Sequence, residues 1–173
     1  MTHTCCTPNN RTVVRTVKHP QKIHTYGAFC EQGFGKLSLF TGNLNADRMC
    51  KLYESTLLPT ANKFYRKGNR DWVLLEDNDP KHKSKKCTEW KRENGINVMS
   101  FPAQSPDCNP IENVWGLLKT KTQGKSYRNT KQLGLALKKE WQSLPKEYAK
   151  NLSDSMPSRC ERVLEKNVDW ILY

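Results

Sequence analysis

The stretch from Trp72 to Gly116 constrains the fold of this chain more than any other. It opens with an apolar run, Val73-Leu74-Leu75, that ends in Glu76-Asp77-Asn78-Asp79-Pro80-Lys81-His82. Such a run, bounded by acidic and turn-forming residues, predicts a short buried strand with Asp77 at its carboxyl end, where open α/β sheets commonly meet ligands. The stretch closes with Ser105-Pro106-Asp107-Cys108-Asn109-Pro110-Ile111-Glu112-Asn113-Val114-Trp115-Gly116. Asn109 suits an N-cap and Pro110 the first helical position, and Ile111, Val114, Leu117 and Leu118 recur at helical spacing. Glu112 then falls on the first turn.

Two carboxylates on separate rigid elements are what a divalent-cation site for phosphate chemistry uses, because hard cations take oxygen ligands. Two such ions about 3.5–4 Å apart activate an attacking water or hydroxyl and stabilise the leaving oxygen of a phosphodiester. Other readings of the same residues stay open. Asn109 and Glu112 have the spacing of a capping box, in which Glu112 satisfies a backbone donor. Asp77 and Asp79, with Asn78 and Pro80, also suit a turn after a strand.

The two segments together resemble the Tc1-like branch of the Tc1/mariner transposases. In that branch 34 residues separate the second and third catalytic carboxylates, and 34 residues lie between Asp77 and Glu112. Weaker matching runs from Thr16-Val17-Lys18-His19-Pro20 through Tyr26-Gly27-Ala28-Phe29 to Ser155-Met156-Pro157-Ser158-Arg159-Cys160. The resemblance implies an α/β fold, an RNase H-like mixed sheet flanked by helices, with an Asp, Asp, Glu metal triad. Asp77 is implied as the second catalytic carboxylate and Glu112 as the third, both metal ligands for Mg2+ or Mn2+ in a two-ion site. It also implies DNA as partner, metal-dependent DNA cleavage and strand transfer in transposition and integration, a homodimer on transposon ends, and nuclear localisation.

The chain departs from that pattern in one consequential way. The family's first catalytic Asp lies on the first, central strand of the sheet, ahead of a hairpin that here begins near Lys22, yet no Asp precedes Asp47. The expectation is a chain truncated at its N-terminus, lacking that strand, the first carboxylate and the DNA-reading helix-turn-helix region. Loss of a central strand leaves backbone groups unpaired on both its neighbours. Weak metal binding and little or no strand cleavage should follow. The alternative is a non-catalytic relic that binds DNA or protein through its basic surface; a generic RNA-binding protein is ranked below both, since no RNA-binding motif is present.

Charge supports a polyanionic partner. The 173 residues carry a formal net charge of +12, and the sequence pI is about 9.5. A domain this basic attracts nucleic acid, although lysines also serve simply as a solvated face. Lys81, His82, Lys83, Lys85 and Lys86 follow Asp77, with Lys91 and Arg92 beyond, and Lys119 and Lys121 follow Glu112. Lys81, His82, Lys83, Lys85, Lys86, Lys119 and Lys121 are the candidate nucleic-acid-binding residues, with Lys91 and Arg92 part of the same cationic face and His82 also a candidate for holding the turn. Apolar content of 36% predicts a modest core. Seven cysteines without a C-x-x-C pair argue against zinc ribbons and disulfide frameworks and suggest free thiols in a reducing, intracellular setting. No Ser or Cys sits in a nucleophile-elbow context.

Three regions are expected: an extended arm at 1–20, a partial catalytic domain at 21–145, and a helical tail at 146–173. Within the arm only Thr12 to Val17 suits an extended conformation. Lys22 to Cys30 and Lys36 to Thr41 predict a hairpin with Glu31 to Gly35 as its loop. Asn45 predicts the cap of a helix that Pro59 kinks or divides. Arg66 to Arg70 reads as a basic connector, and a short helix after His82 should end at Gly95. Ile96 to Phe101 predicts a further strand, and Asn129 with Gln132 caps a helix bearing Leu133, Leu137, Trp141 and Leu144.

Overall fold

A computed structural model describes residues 22–65, 71–99 and 109–169, with side chains up to residue 162. The expected arm, the Arg66 to Arg70 connector, the last two residues of the strand expected at Ile96 to Phe101 and the end of the helical tail from Trp170 lie outside the described residues.

Strands β1 (His24–Cys30) and β2 (Gly33–Phe40) form an antiparallel hairpin, with Cys30 opposite Gly33 and an irregularity between Gly27 and Phe29. The loop is tighter than the sequence suggested, because Gly33, Phe34 and Gly35 belong to β2. The reason is tertiary: a Cβ on Gly35 would stand 2.0 Å from Thr60 Cγ2, so only glycine lets this strand approach the helix beneath it. The neighbouring Lys36 N–H donates to Thr60 Oγ1 at 2.9 Å.

The hairpin is the middle layer of the domain. Side chains alternate across a strand, so Leu37 and Leu39 face one helical layer while Ser38 and Phe40 face another. The first layer comprises α4 (Ile111–Thr122), α5 (Thr130–Gln142) and α6 (Lys146–Asp154), packed around Val114, Leu118, Leu137, Trp141, Leu144 and Leu152. The second comprises α1 (Ala46–Leu52), a wide π turn (Tyr53–Leu57) and α2 (Leu58–Phe64), joined by α3 (Lys85–Glu93). Its core is Met49, Cys50, Leu52, Tyr53, Leu57, Cys87 and Ile96. A last helix, α7 (Met156–Asp169), follows α6 after Ser155. No helix among the described residues is long and apolar enough to cross a membrane.

Local signals explain most helix ends. Asn45 Oδ1 accepts from the Arg48 N–H at 2.9 Å and Asn129 Oδ1 from the Gln132 N–H at 2.9 Å, as N-caps do. At the end of α3 the Ile96 N–H bonds Lys91 O at 2.9 Å and the Gly95 N–H bonds Arg92 O at 3.1 Å, with Gly95 at φ 63°. This is a Schellman cap, and it explains why glycine stands there. The helix is divided at Pro59, as expected: the proline stands in the first turn of α2, directly after the π turn that separates it from α1, and Ser55 O, four residues before the missing N–H, accepts Lys36 Nζ at 2.8 Å.

Strands β3 (Val73–Leu74) and β4 (Asn97–Val98) pair in parallel as a second small sheet, separate from the hairpin among the described residues. Here the expectation of a buried strand needs correction, since Val73 is 52% exposed. A strand is covered only when neighbours lie on its faces and edges, and among the described residues β3 is hydrogen-bonded to β4 alone.

Cys50 and Cys87 meet between α1 and α3 with their sulfurs 3.8 Å apart, both buried and both free thiols. Burial, then the neighbouring Cys87, pushes the Cys50 thiol up to about 11. Because its folded value lies above the ordinary 9.0, the unfolded chain ionises first, and stability should fall as pH rises from about 9 to about 11. Urea melts of the reduced protein across that range check this against a Cys50→Ala variant, in which the fall should shrink. Alkylation at pH 8 should modify exposed Cys160 while sparing Cys50 and Cys87 until the chain unfolds.

Candidate active site

Glu76 and Asp77 leave β3 in opposite environments. Side-chain exposure is 11% for Glu76 and 51% for Asp77. Buried Glu76 is held on all sides: Tyr53 donates its hydroxyl to Oε2 at 2.8 Å, His82 Nδ1 lies 3.2 Å from the same oxygen, and Lys91 Nζ pairs with Oε1. Burial pushes this carboxyl up, but the hydrogen bonds from His82, Lys91 and Tyr53 and the charge of His82 outweigh it and hold Glu76 below the usual carboxylate value. Tyr53, fully buried and stacked on Trp90, is pushed far above the ordinary phenol value by burial and then by the Glu76 charge.

His82 links this buried cluster to Asp77. Its Nδ1 is 2.7 Å from the Tyr53 hydroxyl, and its Nε2 is 3.4 Å from Asp77 Oδ1. The loop between them is wound by the chain's own carboxylates: the Asp79 N–H donates to Asp77 Oδ1 at 3.1 Å, and the Lys81 N–H to Asp79 Oδ1 at 2.8 Å. The turn-forming role weighed for Asp77 and Asp79 is therefore present, and half of the Asp77 side chain still opens to solvent.

Glu112 comes from the other direction. The helix begins one residue later than expected: Pro110, at φ −66° and ψ −18°, takes the flanking position and no side chain caps it. Proline has no N–H to satisfy, which removes part of the need for a cap. The Glu112 carboxylate is exposed and has no hydrogen-bond or ion-pair partner among the described residues, so the capping-box bond is not made there. Asp77 and Glu112 line one cavity of about 470 Å³, together with the edge of β1, Trp72 to Glu76, His82 and Trp115. The fold thus brings the two sequence-predicted carboxylates to one opening.

The basic residues divide into three kinds. Lys91, expected on a cationic face, is 6% exposed and belongs to the Glu76 cluster, also donating to His82 O at 3.1 Å. Its aliphatic stem packs inward and its charge is consumed by Glu76. Lys81 pairs with Asp79 at 2.9 Å, Lys86 with Asp47, Lys121 with Glu140 at 3.3 Å, and Lys85 approaches Glu89 only to 4.0 Å. Lys83 and Lys119 are exposed and have no carboxylate partner among the described residues. His82 is spent on intramolecular contacts, with 14% of its side chain exposed. Tyr53, Glu76 and Lys91 were not singled out as site residues, and only their meeting in space shows the cluster.

The donor set at the cavity fits a hard divalent cation in kind, since both Asp77 and Glu112 offer carboxylate oxygens at an open position. It does so with two ligands: among the described residues no group of three His, Cys, Asp or Glu side chains is placed to hold a metal.

Comparison with known proteins places these observations. A family model described as DDE superfamily endonuclease matches residues 5–134. The chain is 34% identical over 151 residues to the Transposable element Tcb1 transposase of Caenorhabditis briggsae, covering 87% of this chain and 54% of that protein. It is 31% identical over 153 residues to the Transposable element Tc1 transposase of Caenorhabditis elegans, covering 88% and 55%. The chain spans about half the length of these curated relatives. Among solved structures, the catalytic domain of Mos1 mariner transposase superposes with a TM-score of 0.68 at 15% identity, over 80% of this chain and 77% of that one. The Mos1 paired-end complex with Mg superposes with a TM-score of 0.80 at 15% identity, over 95% and 50%. The fold is accordingly the mixed α/β, RNase H-like fold of that catalytic domain.

Proposed function

This chain belongs to the DDE superfamily endonucleases, with relatives among the Tc1-type transposases, and we propose from that premise that it is the DNA-handling catalytic-domain portion of such a transposase. The parent activity is divalent-metal-dependent DNA cleavage and strand transfer in transposition and integration. The observation that carries the reading is the convergence of Asp77 and Glu112, from two separate elements, on one cavity.

Asp77 and Glu112 would hold Mg2+ or Mn2+. When bound, such ions polarise phosphodiester oxygens and make bound water or hydroxyl a nucleophile near neutral pH. The chain's own contribution is placement. The Glu76, Tyr53, Lys91 and His82 cluster anchors the loop that carries Asp77 and removes its freedom to turn away. Exposed Lys83 and Lys119, with the wider positive surface, draw the phosphate backbone toward the cavity. The substrate is DNA, the assembly a homodimer on transposon ends, and the compartment the nucleus.

With two carboxylates rather than three, this chain by itself is expected to bind DNA and to cut it little. No Asp or Glu precedes Glu31, so nothing earlier in the chain supplies the missing ligand. A second reading, a DNA-binding role without catalysis, rests on the formal net charge of +12.

The test uses the purified chain, supercoiled plasmid and Mg2+ or Mn2+. Binding should weaken about a thousandfold between 50 and 200 mM salt if about six phosphates are contacted. Nicking should stay at background and be indifferent to Asp77→Ala. Metal-dependent nicking that disappears in Asp77→Ala or Glu112→Ala would overturn the expected inactivity. DNA binding without salt dependence would remove the support for both readings. Weak Mn2+ binding, followed by paramagnetic resonance, should decline further in Asp77→Asn and Glu112→Gln.

A further inference from the structure

Nothing in the proposed cleavage chemistry uses the two buried thiols where α1 meets α3. Cys50 and Cys87 stand 37 positions apart in the chain, yet their sulfurs lie 3.8 Å from one another. Both are free and buried, Cys50 at 7% exposure and Cys87 at 0%. A single buried cysteine packs as a small apolar residue. Two whose sulfurs touch can also bond. Each thiol has a backbone carbonyl to accept its hydrogen, Ala46 O at 3.6 Å for Cys87 and Lys86 O at 4.0 Å for Cys50, so no proton has to lie between the sulfurs. A disulfide is about 2.05 Å long, and the remaining approach of about 1.8 Å is shared between two side chains that turn about their Cα–Cβ bonds.

We propose that Cys50 and Cys87 are a reversible redox clamp: oxidation by hydrogen peroxide joins them in a disulfide that fastens α1 to α3. The Cys50 sulfur, the more exposed of the two, attacks one peroxide oxygen; the O–O bond breaks, one water leaves, and Cys50 becomes a sulfenic acid. The Cys87 sulfur then attacks the Cys50 sulfur, the S–O bond breaks, and a second water departs with the Cys87 proton. The two sulfurs together lose two electrons and the peroxide gains them. A small-molecule thiol reverses the bond by exchange.

What the clamp holds follows from the two helices. Tyr53 comes three residues after Cys50 and Lys91 four residues after Cys87, so each lies one helical turn along the same face as its cysteine. Tyr53 and Lys91 are the residues that grip Glu76, through the 2.8 Å bond from the tyrosine hydroxyl and the lysine ion pair. The segment that the disulfide closes contains β3 and the turn from Glu76 to His82. Oxidation therefore tightens the support beneath Asp77 and leaves the carboxylates of Asp77 and Glu112 unaltered.

This inference stands apart from the functional reading, and its test needs neither DNA nor metal. The full chain, reduced and then freed of reductant, is treated while folded with hydrogen peroxide, denatured in acid, alkylated, digested without reduction and mapped by mass spectrometry. A peptide pair joined through Cys50 and Cys87, and split by a thiol reductant, is the expected product. The linked chain should unfold at a urea midpoint about 1 M or more above that of the reduced chain, because the cross-link constrains the unfolded ensemble. Amide exchange over residues 76–82 should slow in the linked form, and reductant should restore both properties. Recovery of Cys50 and Cys87 as free thiols after prolonged exposure to millimolar peroxide would overturn the proposal. So would sulfinic acid at Cys50 beside an intact Cys87 thiol, preferential pairing of either with another cysteine, or a linked chain whose urea midpoint and exchange match the reduced one.

Discussion

Replacing Lys91 with methionine is expected to destabilise the domain by about 3–5 kcal/mol, because it leaves Glu76 charged and buried without its ammonium partner. Side-chain exposures of 7% for Lys91 and 11% for Glu76 put both groups where solvent does little to screen or rescue them. Removing both charges together, Lys91→Met with Glu76→Gln, should recover most of the loss, since a neutral amide can still accept from Tyr53 and no buried charge remains. Urea denaturation of the two single variants and the double variant forms a cycle whose coupling term reads the pair directly. A Lys91→Met loss below about 1 kcal/mol, the range of exposed pairs, would mean that the cluster is solvated. The local consequence falls on the loop that carries Asp77: with Glu76 unpaired, His82 loses a partner that holds it beside Asp77.

Truncating Trp141 to alanine is expected to cost a further kind of stability, about 3–5 kcal/mol for a large buried aromatic. Its indole is 3% exposed and donates to Gly35 O at 2.8 Å. It stacks on Trp115 at 5.5 Å between centroids and meets Phe34 edge-on at 5.3 Å. It also fills the space above Gly27, where a Cβ would lie 2.7 Å from its ring. Trp141 therefore ties α5 to both strands of the hairpin and to α4, the helix that carries Glu112. The melting temperature should fall by roughly 6–20 °C for a chain of this size. Trp141→Phe should lose less, about 1–3 kcal/mol, mostly from the unpaired Gly35 carbonyl. A Trp141→Ala melting temperature within a degree or two of the parent would show that the layers are held elsewhere.

The two variants probe different halves of the candidate site. Lys91 supports the loop that delivers Asp77, and Trp141 supports the helix that delivers Glu112. Neither side chain lies among the cavity-lining residues, and each acts by fixing an element on which a carboxylate rides.

Features set by neighbours a few residues apart were legible in the sequence. Asn45 and Asn129 announce helix starts because their side chains bond backbone N–H groups three residues on. Gly95 announces a helix end because the cap needs a positive φ. Asp77 and Glu112 were singled out from the residues around them and their separation, and both line one cavity. What could not be read depended on partners far along the chain. Gly33 to Gly35 looked like loop, and Thr60 and Trp141 make it strand. Lys91 looked like part of a cationic face, and Glu76 makes it core. Val73 looked buried, and it is 52% exposed in a strand paired only with β4 among the described residues. Short-range order follows from covalent connectivity, which fixes what lies three or four residues away. Burial, charge pairing and strand edges depend on which surfaces meet, and that is settled only when the layers pack.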